Sequence, residues 1–268
     1  MMLSNAALQA RMGVAITAAR AGGRLLLDHY ARRDLLVVDQ KGRNDFVSQA
    51  DRDSELVIFD MLTAAFPADA LLGEESGAGG AEGAETVWCV DPLDGTSNFL
   101  HGAHNWCVSI GVVHQGEPVL GVIYDPLRDE MFAGGQGMPM QLNGLAVRVS
   151  TVDALDRAVV SLGHNARVPL DLFGAETLRL LETGAAFRQL GAGALMLAYV
   201  AAGRFEGYYE WHMWPWDAVA GLAMIESAGG RYAPYLRGPI AEGGLVLASN
   251  AALHDTLNAT IQPRNGRD

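Results

Sequence analysis

Strand and helix patterns alternate along the chain, which predicts a mixed α/β fold. Short apolar runs bounded by Gly and Pro mark strands at residues 86–90, 106–114, 118–124 and 245–248. Apolar residues at three- and four-residue spacing mark helices, the longest over residues 5–33. The balance of 50% hydrophobic and 19% charged residues excludes a disordered chain. At roughly 150 residues per domain, 268 residues make one large or two small domains.

The elements follow in order. Leu8, Met12, Ile16, Ala19, Gly23, Leu26 and Tyr30 form one face of the first helix. This segment also imitates a short signal peptide, with Arg11 ahead of an apolar stretch and Ala19-Arg20-Ala21 as a cleavage-like site. A cut there would halve the helix, so a cytoplasmic location is expected. Residues 35–38 predict a strand, 39–44 a polar loop, and 50–65 a helix that stops before Pro67. A short buried strand at 70–72 ends at Gly73-Glu74-Glu75-Ser76, and the glycine-rich 77–85 predicts an exposed loop. Strand 86–90 runs into Asp91-Pro92-Leu93-Asp94-Gly95-Thr96. Strands 106–114 and 118–124 join at Gln115-Gly116, and 131–133 and 147–149 predict further strands. Beyond a seam near 145–155 come a strand at 158–161, a helix at 172–183, an apolar helix at 192–202 ended by Gly203, and a strand at 205–209. A helix at 219–227 ends at Gly229-Gly230, followed by a strand at 245–248 and a closing helix at 251–261. The seam divides residues 1–148, rich in hairpins, from 149–268, and the two halves are read as one catalytic unit.

Composition narrows the function. A net charge of −12 lacks the basic footprint of a nucleic-acid binder or of a protein held on anionic lipid. No run of about 18 apolar residues offers a transmembrane helix. Two cysteines make no disulfide framework, and Cys89 and Cys107, in apolar strands, are expected to be buried free thiols.

The most informative string is WCVDPLDGTSNF, residues 88–99. A strand delivers Asp91 to the sheet edge, and a turn at Pro92 can bring Asp94 back beside it. Two adjacent carboxylates stay ionised only beside positive charge, which a divalent cation supplies. The Leu93 carbonyl between them is a further oxygen ligand. Gly95-Thr96-Ser97 then opens a helical turn whose free N–H groups suit a phosphate. Gly73-Glu74-Glu75 places a carboxylate at another strand end, Asp217 sits where a helix starts, and Asp45 and Ser48 precede a helix near Asp51. Each of these last three also reads as ordinary loop solvation or capping.

Together these segments resemble the inositol monophosphatase family of magnesium-dependent, lithium-sensitive phosphatases, with WDAVAGLAMIESAGG (residues 216–230) as a second, independent motif. The resemblance implies a layered α-β-α-β-α sandwich and a homodimer. It implies that Glu74, Asp91 and the Leu93 carbonyl hold one Mg²⁺, that Asp91, Asp94 and Asp217 hold a second, and that Glu74 also holds a third, looser ion. Gly95 and Thr96 match phosphate-binding amides, and Thr96 with Asp45 matches the pair that orients the attacking water. Glu210 matches the acceptor of substrate hydroxyls, and Gly191-Ala192-Gly193 the loop facing the substrate, which Asp94 and Asp217 also border. Every ligand is an oxygen, which suits Mg²⁺ or Mn²⁺ over Zn²⁺. Three positions depart from the family pattern: Ser48 for Thr, Ala192 for Ser or Thr, and Val219 for a smaller residue.

The expected activity is a phosphoric monoester hydrolase of the inositol-phosphate phosphatase type. Metal-activated water would attack myo-inositol 1-phosphate or a similar small polyol phosphate directly, without a phosphoenzyme. Family relatives act on 3′-phosphoadenosine 5′-phosphate, histidinol phosphate, fructose 1,6-bisphosphate or NADP, and the metal motif does not separate these substrates. A non-catalytic regulator that binds metal and sugar phosphate is the alternative of another class. The aromatic run Trp211-His212-Met213-Trp214 either packs as core and pocket wall or shapes a pocket for a ring or base.

Overall fold

In the computed structural model, which describes residues 2–36, 38–42, 45–164 and 167–261, with side chains of 38–42 and 45–47 left aside, Ser4 caps the first helix. Its side chain accepts the Ala7 N–H, and α1 (Asn5–Tyr30) follows. The helix ends three residues short of the expected limit, and Arg33–Leu35 form a 3₁₀ turn. The expected strand at 35–38 and loop at 39–44 give way to β1 (Val38–Gly42), paired antiparallel with β2 (Asp45–Ser48); Val37, Arg43 and Asn44 lie outside the described residues. Ser48 and Asp51 form a capping box that starts α2 (Gln49–Ala65).

The larger sheet follows. Strand β3 (Ala70–Gly73) turns into β4 (Gly77–Gly80), so part of the expected 77–85 loop is a paired edge strand. Its glycine-rich sequence hides the strand, because no side-chain alternation marks it. Then come β5 (Thr86–Asp94), the short α3 (Thr96–Leu100), β6 (Cys107–His114), β7 (Glu117–Asp125), β8 (Glu130–Gly135), β9 (Met138–Leu142) and β10 (Leu145–Ala146). Residues 147–149 are not a strand; β9 and β10 precede them. The sheet order is β10-β9-β8-β7-β6-β5-β3-β4, antiparallel except for the β3–β5 pair. Gln115 and Gly116 turn the β6–β7 hairpin with φ of 51° and 87°. Every residue of β6 is buried, because helices cover both faces of this part of the sheet.

The second half holds β11 (Val159–Leu162), α4 (Leu170–Glu182), β12 (Ala186–Arg188), α5 (Gly193–Ala201), β13 (Gly207–Met213), α6 (Pro215–Ser227), β14 (Gly230–Tyr232), β15 (Gly244–Asn250) and α7 (His254–Ile261). Strands β12 and β14 have no counterpart among the expected strands. The smaller sheet runs β12-β11-β13-β15-β14.

Three apolar clusters define the layers. One joins α1 and α2 to the outer face of the larger sheet, with Leu8, Leu26, Trp88 and Trp106. The second, with Leu195, Leu197, Leu222 and Met224, fills the space between the two sheets around α5 and α6. The third packs α4 and α7 on the far face of the smaller sheet, with Leu180, Leu247 and Leu257. The fold is an α-β-α-β-α sandwich. Both cysteines are buried free thiols, and among the described residues no helix is long and apolar enough to cross a membrane.

Candidate metal and phosphate site

Strand β5 carries the first two carboxylates. Side chains alternate along a regular strand, so Asp91 and Asp94, three residues apart, would face opposite sides. The ladder slips between them: Asp91 pairs with Ser109 and Asp94 with Cys107. Three steps on β5 thus match two on β6. This bulge, with Pro92 where no ladder N–H is available, brings both carboxylates to one site. It does so in place of the expected turn. Asp91 Oδ1 accepts the Leu93 N–H at 2.8 Å. Asp94 Oδ2 accepts the N–H groups of Ala194 (2.8 Å) and Leu195 (3.3 Å) in the first turn of α5, and lies 3.6 Å from the Cys107 thiol.

Asp217 comes from α6. Trp214 caps this helix and Pro215 opens it, so Asp217 lies inside the first turn, not at the cap. The helix rests directly on the larger sheet because Gly111 and Gly121 carry no side chain. A Cβ on Gly111 would stand 2.7 Å from Ala220 N, and one on Gly121 2.6 Å from the Ala220 carbonyl carbon. Ser109 Oγ donates to Trp216 O at 2.8 Å and ties down the helix start. One oxygen of each of Asp91, Asp94 and Asp217 then lies within 4.8 Å of the other two. Glu74, just after β3, donates its N–H to Val90 O at 3.1 Å, extending the β3–β5 pairing beside this cluster.

The cluster is electrostatically incomplete. Burial, then the charges of Glu74, Asp217 and Asp94, hold Asp91 well above the ordinary aspartate range. Burial, Asp94 and Glu74 raise Asp217 as well. Burial pushes Asp94 up to about 6 against the opposing pull of the α5 amides. Desolvated carboxylates that repel one another and offer only oxygens fit a hard divalent cation.

Helix α2 braces the site from behind. Asp51, Ser54 and Glu55 share one face at i, i+3 and i+4. Asp51 Oδ2 accepts the N–H and hydroxyl of Ser48 at 2.8 and 2.7 Å. Ser54 Oγ donates to Pro92 O at 3.2 Å, and Glu55 Oε1 accepts the Glu75 N–H at 3.1 Å. The helix thereby steadies both carboxylate-bearing loops. Thr96 Oγ1 lies 3.1 Å from Asp51 Oδ1 and 3.0 Å from Leu93 O, and its single hydrogen serves one of these acceptors at a time. Among the described side chains, the carboxylate that meets Thr96 is that of Asp51. Asp45, the expected partner, is placed by its backbone in β2, and its side chain lies outside the described residues. The capping pattern around Ser48 concealed Asp51, because one carboxylate serves the helix start through Oδ2 and Thr96 through Oδ1.

Gly95 adopts φ +94° and caps α3. A Cβ there would stand 2.8 Å from Asn105 O and 3.2 Å from the Ala192 methyl, so only glycine fits. Asn98 Nδ2 donates to Leu190 O and Asn105 O, both at 2.7 Å, and joins α3 to the loop before α5. That loop, Gly191, Ala192 and Gly193, lines a cavity of about 190 Å³ together with Asp94, Asp217, Glu210, Ser161, Gly163 and His164. Tyr208 OH donates to Glu210 Oε2 at 2.6 Å. The aromatic run points elsewhere. Trp211 Nε1 donates to Glu176 Oε1 at 2.7 Å in the outer layer. Trp214 stacks on Trp216 at 5.3 Å, with the Arg167 guanidinium 4.5 Å from its ring centre. Of the run, only Met213 lines the cavity.

The profile of the inositol monophosphatase family matches residues 7–265. The chain belongs to the inositol monophosphatase family. It is 36% identical over 263 residues to Nus factor SuhB of Pseudomonas aeruginosa, covering 96% of this chain and 97% of that one. The extragenic suppressor protein SuhB of Bartonella henselae superposes with a TM-score of 0.90 at 36% identity, over 96% of this chain and 100% of that one. The inositol monophosphatase of Anabaena superposes at 0.83 with 35% identity, over 95% and 96% of the two chains. As a member of this metal-dependent phosphatase family, the chain carries a carboxylate cluster able to hold a metal.

Proposed function

We propose that this inositol monophosphatase family member is a Mg²⁺-dependent phosphomonoesterase acting on myo-inositol 1-phosphate or a similar small polyol phosphate. The observation that carries the proposal is the convergence of Asp91, Asp94 and Asp217, with oxygens within 4.8 Å of one another, beside a cavity that Glu210 also lines. Asp91, Asp94, Asp217, Glu74 and the Leu93 carbonyl would hold two to three Mg²⁺ ions, with Mn²⁺ as a substitute. Bound divalent ions supply charge neutralisation for the phosphate and lower the pKa of a bound water.

The chain's own residues do the rest. The α5 amides and the Leu93 N–H lock the Asp94 and Asp91 carboxylates in place before substrate arrives. Gly95 and Thr96 present amides to the phosphate. The Thr96 hydroxyl, backed by Asp51, holds water in line, since Asp51 can receive its proton. Glu210, accepting the Tyr208 hydroxyl, keeps capacity for substrate hydroxyls. Direct attack by water needs no side-chain nucleophile, and the buried Cys107 thiol, pushed up by burial and by neighbouring carboxylates, stays protonated.

Phosphate release, with and without Mg²⁺, across myo-inositol 1-phosphate, histidinol phosphate, fructose 1,6-bisphosphate, 3′-phosphoadenosine 5′-phosphate and NADP tests this. Mg²⁺-dependent turnover led by the inositol ester is expected. Turnover led by a nucleotide would overturn the substrate assignment, and no turnover at all would overturn the phosphatase assignment. By family resemblance the enzyme is further proposed to be a lithium-sensitive homodimer whose halves 1–148 and 149–268 build one site, and from its uncut first helix to be cytoplasmic; Li⁺ titration tests the lithium sensitivity and light scattering the dimer. The name Nus factor, borne by the Pseudomonas aeruginosa relative, favours a second role, association with a transcription complex. Binding to purified transcription complexes by wild type and by Asp94→Asn would separate that role from catalysis.

A further inference from the structure

A buried glutamate of α2 holds the turn that carries Glu74. Glu55 is only 5% exposed and lies on the inward face of α2 with Ile58 and Leu62. Burying a carboxylate there costs desolvation, which the hydrogen bonds it accepts must offset. Its Oε1 accepts the Glu75 N–H at 3.1 Å. Gly73 makes the approach possible. A Cβ on Gly73 would stand 2.9 Å from Glu55 Cδ and 2.7 Å from Phe59 Cζ, and closer still to Glu55 Oε1. The bare backbone at the end of β3 therefore lets the carboxylate lie against the strand and reach the next turn.

This contact governs the direction of Glu74. The Glu75 N–H belongs to the peptide that joins Glu74 to Glu75. The peptide on the other side of Glu74 is held through the Glu74 N–H, which donates to Val90 O at 3.1 Å, just beyond the pairing of Gly73 with Val90. With both flanking peptide planes fixed, φ and ψ of Glu74 are set, and with them the direction of its side chain. The Val90 carbonyl shares its peptide with Asp91. One plane is thus tied to the metal cluster and the other to α2. Ser54, next to Glu55, holds Pro92 O between Asp91 and Asp94 at 3.2 Å, so consecutive residues of one helix set the spacing of both carboxylate-bearing segments.

Resting on the metal-dependent phosphatase reading above, we propose that Glu55 is a positioning residue. It aims Glu74 through the Glu74–Glu75 peptide and so sets the affinity for the cation that Glu74 helps to hold. Without this acceptor the Glu75 N–H turns to water, and Glu74 loses its fixed direction.

Mg²⁺ titrations of wild type, Glu55→Gln, Glu55→Leu and Glu55→Ala test the proposal, read by the Mg²⁺-dependent rise in Tm and by phosphate release from myo-inositol 1-phosphate. Glutamine keeps a carbonyl acceptor, leucine fills the space without one, and alanine shows whether the shape of leucine matters. A hydrogen bond to a charged acceptor shifts an equilibrium by about tenfold or more. The expected result is a rise of about that size in the Mg²⁺ concentration each readout requires, in the leucine and alanine variants. Glu55→Gln should stay close to wild type. In a Glu74→Gln background, Glu55→Leu should add no further loss of Mg²⁺ response in Tm, because the two residues act as one unit. An unchanged Mg²⁺ requirement in folded Glu55→Leu, or a further loss in the Glu74→Gln background, would make Glu55 a purely structural residue and overturn the proposal. Wild type that responds to Mg²⁺ in Tm without hydrolysing the ester would overturn the phosphatase assignment alone, since Tm still tests Glu55. Wild type whose Tm ignores Mg²⁺ would overturn both.

Discussion

Replacing Gly121 with alanine tests whether the seat of α6 on the larger sheet sets the geometry of the carboxylate cluster. The backbone there is ordinary strand, so the effect is steric. An added Cβ would stand 2.6 Å from the Ala220 carbonyl carbon and closer still to its oxygen, whereas ordinary contact begins near 3.4 Å. The carbon alone asks for a retreat of about 0.8 Å, and the oxygen asks for more. Helix α6 has little room, because its other side packs on α5: a Cβ on Gly221 would stand 2.7 Å from Leu197 Cδ1. Overpacking of this kind costs about 1–3 kcal/mol, or roughly 2–12 °C in Tm for a chain of this size. Asp217 rides on the same helix, three residues before Ala220, so its carboxylate shifts by a comparable distance. A misplacement near 1 Å can cost about 100-fold in rate. Thermal denaturation and Mg²⁺-dependent phosphate release should therefore show a folded protein with modestly lowered Tm and turnover down by about two orders of magnitude. Gly79→Ala, on the edge strand with nothing within 4 Å of its Cβ, is the control. Wild-type turnover in a folded Gly121→Ala protein would refute the reasoning.

Three further outcomes are expected. Asp94→Asn should lower turnover by at least about 100-fold and abolish the rise in Tm that Mg²⁺ produces in wild type, about 2.7 kcal/mol of stabilisation at 100 times Kd; a retained Mg²⁺ shift would remove Asp94 from the metal site. Thr96→Val should reduce turnover and destabilise the fold by about 1–2 kcal/mol, because Asp51 loses a donor in a buried position; unchanged urea denaturation would argue against the Thr96–Asp51 contact. Glu176 accepts Tyr209 OH and Trp211 Nε1 on one oxygen while the other is buried without a partner among the described residues, and burial raises its pKa. The native state then holds a proton that the unfolded chain releases, so wild-type stability falls as pH rises from the ordinary glutamate value through the raised one. Glu176→Gln lacks this loss, and its stability relative to wild type should improve between pH 5 and pH 8; parallel pH profiles would exclude the effect.

Much of this was legible in sequence wherever the signal is local. Helices α1 and α2 carry apolar faces at three- and four-residue spacing, and the hairpin at Gln115-Gly116 carries its own turn residues. The DPLDGT string holds a strand end, two carboxylates and a left-handed glycine within six residues. Signals that depend on a distant partner were not legible. Strand β4 looks like loop because its pairing with β3 needs backbone alone. Strands β12 and β14, three residues each, are edge strands defined by their neighbours. Asp51 looks like a simple cap until Thr96, 45 residues on, is brought to its second oxygen.

The chain by itself determined its α/β class, its family and the residue types that hold a hard cation, because periodicity and short motifs are properties of contiguous residues. Only the tertiary structure decided that a bulge turns Asp91 and Asp94 to one site and that Gly111 and Gly121 let α6 bring Asp217 beside them. It likewise decided that Ser161, His164 and Glu210 share one cavity. Those are distances between segments far apart in sequence, and they exist only once the two sheets have packed on α5 and α6.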